Sequence, residues 1–199
     1  MEYHDFEAKE YKVSRVAYIA YCAFEYFAAI LISGSFLAKL LSHIGLSDSE
    51  IGIVSSFISF AFLFQLMSIM FAGKIKNTKL ASLVCMSVAQ LLFMAMFLIP
   101  SFGLSQSAGS LLAKGFILLA YLSQYFISVF IAKWANSYVH PDNRGKFSAV
   151  KELISLIGGM LFTMAVGFGF DWFEAHKSIE AGFIFFAVMI FICSVLTFT

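Results

Sequence analysis

The sequence predicts an all-helical membrane protein with six spanning helices, and three observations carry that expectation. Of the 199 residues 61% are hydrophobic and only 13% charged, about half the charge of a soluble domain, and the mean hydropathy is +0.89. Mainly apolar runs of about twenty residues, the length that crosses a hydrocarbon core of about 30 Å, recur six times. The linkers between them are short and hold most of the Lys, Arg and Asp, so no soluble domain is inserted. The net charge of +1 comes without a basic block or an acidic tail, which argues against nucleic acid as a partner.

Residues 1–15 read as a tail, and spans are expected over 16–42, 50–72, 79–100, 111–138, 147–170 and 181–199. The first apolar run continues for about 25 residues, beyond the 7–15 of a signal-peptide core, and should be retained. In "GLSDSEIG" (45–52), Ser47 stands three residues before Glu50, a capping box that should open the second span. Lys133 lies near the end of the fourth span, where it can snorkel to the interface.

The bases set an orientation. Lys9, Lys12 and Arg15, then Lys74, Lys76 and Lys79, then Lys133, Arg144, Lys146 and Lys151 fall on one side. Only Lys39, Lys114 and Lys177 fall on the other. The excess places the amino terminus and both basic loops in the cytoplasm, and a cell (plasma or inner) membrane is the expected location.

No cofactor is expected. Cys22, Cys85 and Cys193 sit inside apolar runs, and His4, His43, His140 and His176 are scattered over loops. Neither set has the spacing of a metal site. No catalytic triad, phosphate loop or haem motif can be assembled, so an enzyme is not expected.

A short repeat suggests internal symmetry. At an offset of 99 residues Glu25, Tyr26 and Phe27 fall on Gln124, Tyr125 and Phe126, while Ser56 and Ile58 fall on Ser155 and Ile157. Span four enters the bilayer from the side opposite to span one, so the repeat would be two inverted three-helix units. Secondary transporters use that device, with the binding site near the midplane.

Three stretches carry a family likeness: "GLSDSEIG", "GKIKNTK" (73–79) and "PDNRGKF" (141–147). With them the whole chain resembles the amino-terminal six-helix half of a major facilitator superfamily (MFS) transporter. The resemblance implies alternating-access transport of a small solute. It also implies cytoplasmic gating loops, here Gly73, Lys74, Lys76 and Asn77, then Arg144, Gly145 and Lys146. Asn77 and Thr78 stand where the family has an acid and an arginine, which implies a weaker or different latch. "SLIGGMLFTMAVGFGF" (155–170) lacks the proline of the family's antiporter signature, so antiport is not implied. Members usually carry two such halves, so this chain is expected to dimerise or to meet a second half.

Within that frame Glu25 stands out. It lies nine residues beyond Val16, about 13 Å into the core at about 1.5 Å per residue. An acid there costs about 2.5–3.5 kcal/mol on insertion scales. Desolvation favours its neutral form, and Tyr21, at i−4, can donate to its carboxyl group. Such a group suits the binding and release of a coupling proton; the plainer reading is a neutral acid that pairs helices.

In span four Gln124, Ser128, Ala132 and Asn136 form a stripe beside Tyr121 and Tyr125, either a cavity wall for a polar solute or interhelical glue. Gln65 is a lesser cavity candidate, and Gln90 reads as glue. Ser155, Gly159, Thr163 and Gly167 make a small-residue face for close helix packing. Arg144 and Lys146 are also readable as topological determinants alone. The alternative to a transporter is a non-transporting six-helix membrane protein that serves as a structural or partner-binding element.

Overall fold

The structure, a computed structural model, describes residues 9–71, 75 and 77–198. The described residues form seven α-helices: α1 (Lys9–Leu31), α2 (Gly34–Ile44), α3 (Asp48–Phe71), α4 (Thr78–Leu98), α5 (Gln106–Ala135), α6 (Arg144–Ala175) and α7 (Ile179–Phe198). Short 3-10 turns lie at Ile99–Phe102, Asn136–Tyr138 and Pro141–Asn143, and no strand occurs among the described residues. Among the described residues, six segments are long and apolar enough to cross a bilayer: Tyr11–Leu31, Asp48–Met70, Thr78–Phe102, Gln106–Tyr138, Pro141–Ala175 and Ile179–Thr197. The chain is a multi-pass membrane protein.

Three expectations need correction. The expected tail is helical from Lys9 onward. The expected first span, 16–42, is broken after Leu31 and resumes as α2 at Gly34. Ser33 is extended (φ −137°, ψ 173°), and Gly34 has φ +56°, a left-handed value that glycine adopts without strain. A helix broken among apolar neighbours must re-satisfy its freed backbone groups. The Tyr121 hydroxyl donates to the Ile32 carbonyl at 2.9 Å, and the Ser33 hydroxyl donates to the Ala29 carbonyl at 2.7 Å. The fifth span is longer than expected, because α6 starts at Arg144 and runs for 32 residues.

Other helix ends follow local chemistry. The expected capping box is present: the Ser47 backbone N–H donates to Glu50 Oε2 at 2.9 Å, and the Glu50 N–H reaches back to Ser47 Oγ at 3.4 Å. Gly45 (φ +99°) closes α2, with the Leu46 N–H donating to the Leu41 carbonyl at 3.0 Å. Asn77 caps α4 by accepting the Leu80 N–H at 3.0 Å.

Packing divides the bundle into two sets. α1 packs against α6 and α7, α5 packs against α3 and α4, and α4 meets α7. The largest apolar cluster includes Leu40, Leu41, Phe93, Phe97, Phe183 and Phe186, near the end remote from the basic loops. That end is also tied by the Lys39–Glu174 ion pair, by Lys114 Nζ to Glu50 Oε1 at 2.6 Å, and by Gln106 Nε2 donating to the Gly45 carbonyl at 2.7 Å. At the basic end, Arg15 donates to the Tyr138 carbonyl at 3.2 Å. The outward faces of α3 and α6 expose large apolar side chains such as Phe62, Leu66, Met160 and Leu161. Facing acyl chains, that surface carries no hydrophobic penalty.

Candidate functional site

A cavity of about 330 Å³ opens between α1, α5 and α6. From α1 it is lined by Tyr18, Tyr21, Cys22 and Glu25, and from α5 by Gln124, Ser128 and Ala132. The α6 wall contributes Lys151, Glu152 and Ser155. These positions fall on single helix faces: 18, 21, 22 and 25 on α1, steps of four on α5, and 151 and 155 on α6. The cavity exists because three helices turn their polar stripes toward one another.

Glu25 is the centre of its polar contacts. Gln124 Nε2 donates to Glu25 Oε1 at 3.0 Å, and Tyr21, at i−4 on α1, lines the same cavity. On the α6 wall, Lys151 Nζ lies 2.7 Å from Glu152 Oε1, with 20% of the Lys151 side chain exposed and 59% of that of Glu152. Ser155 is buried, and its hydroxyl has no hydrogen-bond partner among the described residues. A carboxyl group flanked by donors can gain or lose a proton, and the remaining wall offers hydroxyl, amide and ammonium groups to a polar solute.

The structure distributes the sequence candidates unevenly. Glu25, Tyr21, Gln124 and Ser128 come together in the cavity; Tyr121, Tyr125 and Gln65 are not among its lining residues. Tyr121 is 4% exposed and is held at the helix break by its bond to Ile32. Tyr125 packs on Phe62 with centroids 6.0 Å apart. Asn136, expected to extend the stripe, ends α5 instead. Gln90 is buried, but its Oε1 finds no partner among the described residues.

Of the loop candidates, Gly73, Lys74 and Lys76 lie outside the described residues. Arg144 donates to the Asn136 carbonyl at 3.0 Å and to the Val139 carbonyl at 3.4 Å, so its guanidinium caps the end of α5. Gly145 and Lys146 are exposed at the start of α6. In the small-residue face, Gly159 is pressed against α1: a Cβ there would meet the Tyr26 ring at 2.3 Å. Thr163 returns its hydroxyl to the Gly159 carbonyl at 2.8 Å. Gly167 has open space where a Cβ would stand, so the close approach covers only part of the expected stripe.

Sequence reading assigned no cavity role to Tyr18, Cys22, Lys151 or Glu152. Lys151 was traceable, since it stands four residues before Ser155 on the face that continues to Gly159. Its positive charge counts toward topology, and that masks a second use. A broader depression of about 650 Å³, at the other end between α2 and α3, is lined by Lys39, His43 and Asp48 among others.

No family model matches the chain, and no curated protein or solved structure matches it. The fold and the cavity define a class: an all-helical, multi-pass membrane protein with a charged, hydrogen-bonding hollow among its helices.

Proposed function

We propose that the chain is one half of a secondary transporter of the MFS kind. It would carry a small solute by alternating access, with Glu25 as the site of a coupling proton. The observation that carries the reading is Glu25 itself, an acid within a candidate membrane helix that lines a cavity together with Gln124, Ser128, Lys151 and Ser155. Intramembrane ionisable groups of this kind mark solute and proton paths.

The packing supports an inverted repeat. Exchanging α1 with α5, α3 with α6 and α4 with α7 maps α1–α6 onto α5–α3, α1–α7 onto α5–α4 and α4–α7 onto itself, while the smaller α6–α7 contact has no α3–α4 counterpart. Phe27 of α1 stacks on Phe162 of α6 with centroids 4.8 Å apart. Phe126 of α5, its partner at the 99-residue offset, meets Phe64 of α3 at 6.1 Å. Two such units related by an in-membrane axis place a site at their interface. The basic residues favour an amino terminus on the cytoplasmic side of the plasma membrane.

A second six-helix unit, a further copy of this chain or a separate partner, would complete the cavity wall over α3 and α6. Their large exposed apolar faces are compatible with such a neighbour. The test is uptake into proteoliposomes under an imposed pH gradient. Glu25→Gln should insert and fold normally but lose the pH dependence of uptake; an unchanged pH profile removes the coupling role.

A further inference from the structure

We propose that Lys151 and Ser155 form a carboxylate subsite on the α6 wall, so that the solute is bound through a carboxylate group. The inference rests on reading the cavity as the solute path, and it names the class of solute that path accepts. The two residues line the cavity one helical turn apart, their Cα atoms separated by about 6 Å of rise. A carboxylate has two oxygens and takes charge-assisted bonds well. One oxygen would receive the Lys151 ammonium and the other the Ser155 hydroxyl.

Ser155 is the unusual member. Helical serines and threonines in apolar surroundings normally return their hydroxyl to a carbonyl three or four residues back. Ser68 does so to Gln65 at 2.6 Å, Thr163 to Gly159 at 2.8 Å and Ser194 to Ile190 at 2.7 Å. Ser155, buried like Ser68 and Ser194, makes no such bond. A buried donor without a partner carries a standing cost, and a ligand oxygen in the cavity would remove it.

Lys151 is free to exchange partners. Its present ion-pair partner, Glu152, has a side chain 59% exposed and can turn away as a solute carboxylate arrives. Glu25 faces this subsite from α1, held by Gln124. Neutral, it does not repel an anion; ionised, it can receive the ammonium group of a zwitterion. The volume of about 330 Å³ is at the low end of the about 300–1,000 Å³ of ligand pockets, which suits a solute of a few carbon atoms.

Ligand-observed NMR on the chain in lipid nanodiscs tests this with two matched pairs of probes: butyrate against butyramide, and L-alanine against L-alaninamide. At least one acid should bind about ten-fold or more tightly than its amide. Lys151→Gln should abolish that preference, Lys151→Arg should restore it, and Ser155→Ala should weaken acid binding several-fold. Lys177→Gln, at the other end of the bundle, should change nothing. Tighter butyrate binding identifies a monocarboxylate site, and tighter L-alanine binding identifies a zwitterion site.

The subsite is overturned if no acid binds, if amides bind as well as acids, or if Lys151→Gln keeps the preference in a protein that still melts normally. Uptake of a neutral solute without acid binding would remove the subsite and leave the transport reading. Acid binding that depends on Lys151, with no flux in vesicles, would support the subsite and remove transport.

Discussion

The Gln124 side-chain amide donates to the Glu25 carboxyl group at 3.0 Å and joins α1 to α5 through residues 99 positions apart. That interval is the one at which "EYF" (25–27) falls on "QYF" (124–126). If α1 and α5 are related by a two-fold, equivalent side chains meet only close to its axis. The contact would then mark the place where the two triplets face each other, and it has energetic consequences that can be measured.

The bond predicts a coupling between the two sites. In a double-mutant cycle of Glu25→Ala and Gln124→Ala, unfolding in bicelles should show an interaction of about 0.6 kcal/mol, and no more than about 1.7. Strict additivity would mean that the two side chains do not interact in the bilayer.

The break between α1 and α2 depends on Tyr121. Tyr121→Phe removes the hydroxyl that satisfies the Ile32 carbonyl and should destabilise the protein by about 1–3 kcal/mol. Hydrogen exchange should speed up around residues 32–37 and stay unchanged in α7. Unaltered exchange at the break would assign its stability to packing alone.

Gly159 and Gly167 should behave differently although they share one stripe. Gly159→Leu forces the Tyr26 ring aside and should cost about 1–3 kcal/mol, with Tyr26→Ala recovering part of the loss. Gly167→Ala meets open space and should stay within about 0.5 kcal/mol of the parent. Thermal unfolding in detergent distinguishes the two.

Orientation is testable with single cysteines in a background where Cys22, Cys85 and Cys193 are serine. His140→Cys should label with a membrane-impermeant reagent only after the cells are opened. Ser178→Cys should label in intact cells. The reverse pattern would invert the proposed topology.

Much of the fold was legible because membranes impose simple lengths and patterns. Six apolar runs became six spanning helices, and Ser47 with Glu50 marked the start of α3. The break at Ser33 was hidden, since "SGS" (33–35) lies inside an unbroken apolar run and its support comes from Tyr121, 89 residues away. For the site, period-four spacing on α5 put Gln124 and Ser128 on one face, and that face lines the cavity with Glu25. It overextended to Asn136, whose carbonyl is taken by Arg144. Tyr121 was misplaced because helical spacing fixes a face only to within a residue or so, and its hydroxyl found a backbone acceptor. Lys151 was hidden by its own charge, which serves topology as readily as chemistry.

The most direct measurement is water access to position 25. Glu25→Cys, with the three native cysteines changed to serine, should react with a hydrophilic thiol reagent, and in a complete alternating-access assembly it should be reached from either face of a vesicle in turn. Reaction only with a lipid-soluble maleimide would put position 25 against the acyl chains and contradict the proposed path.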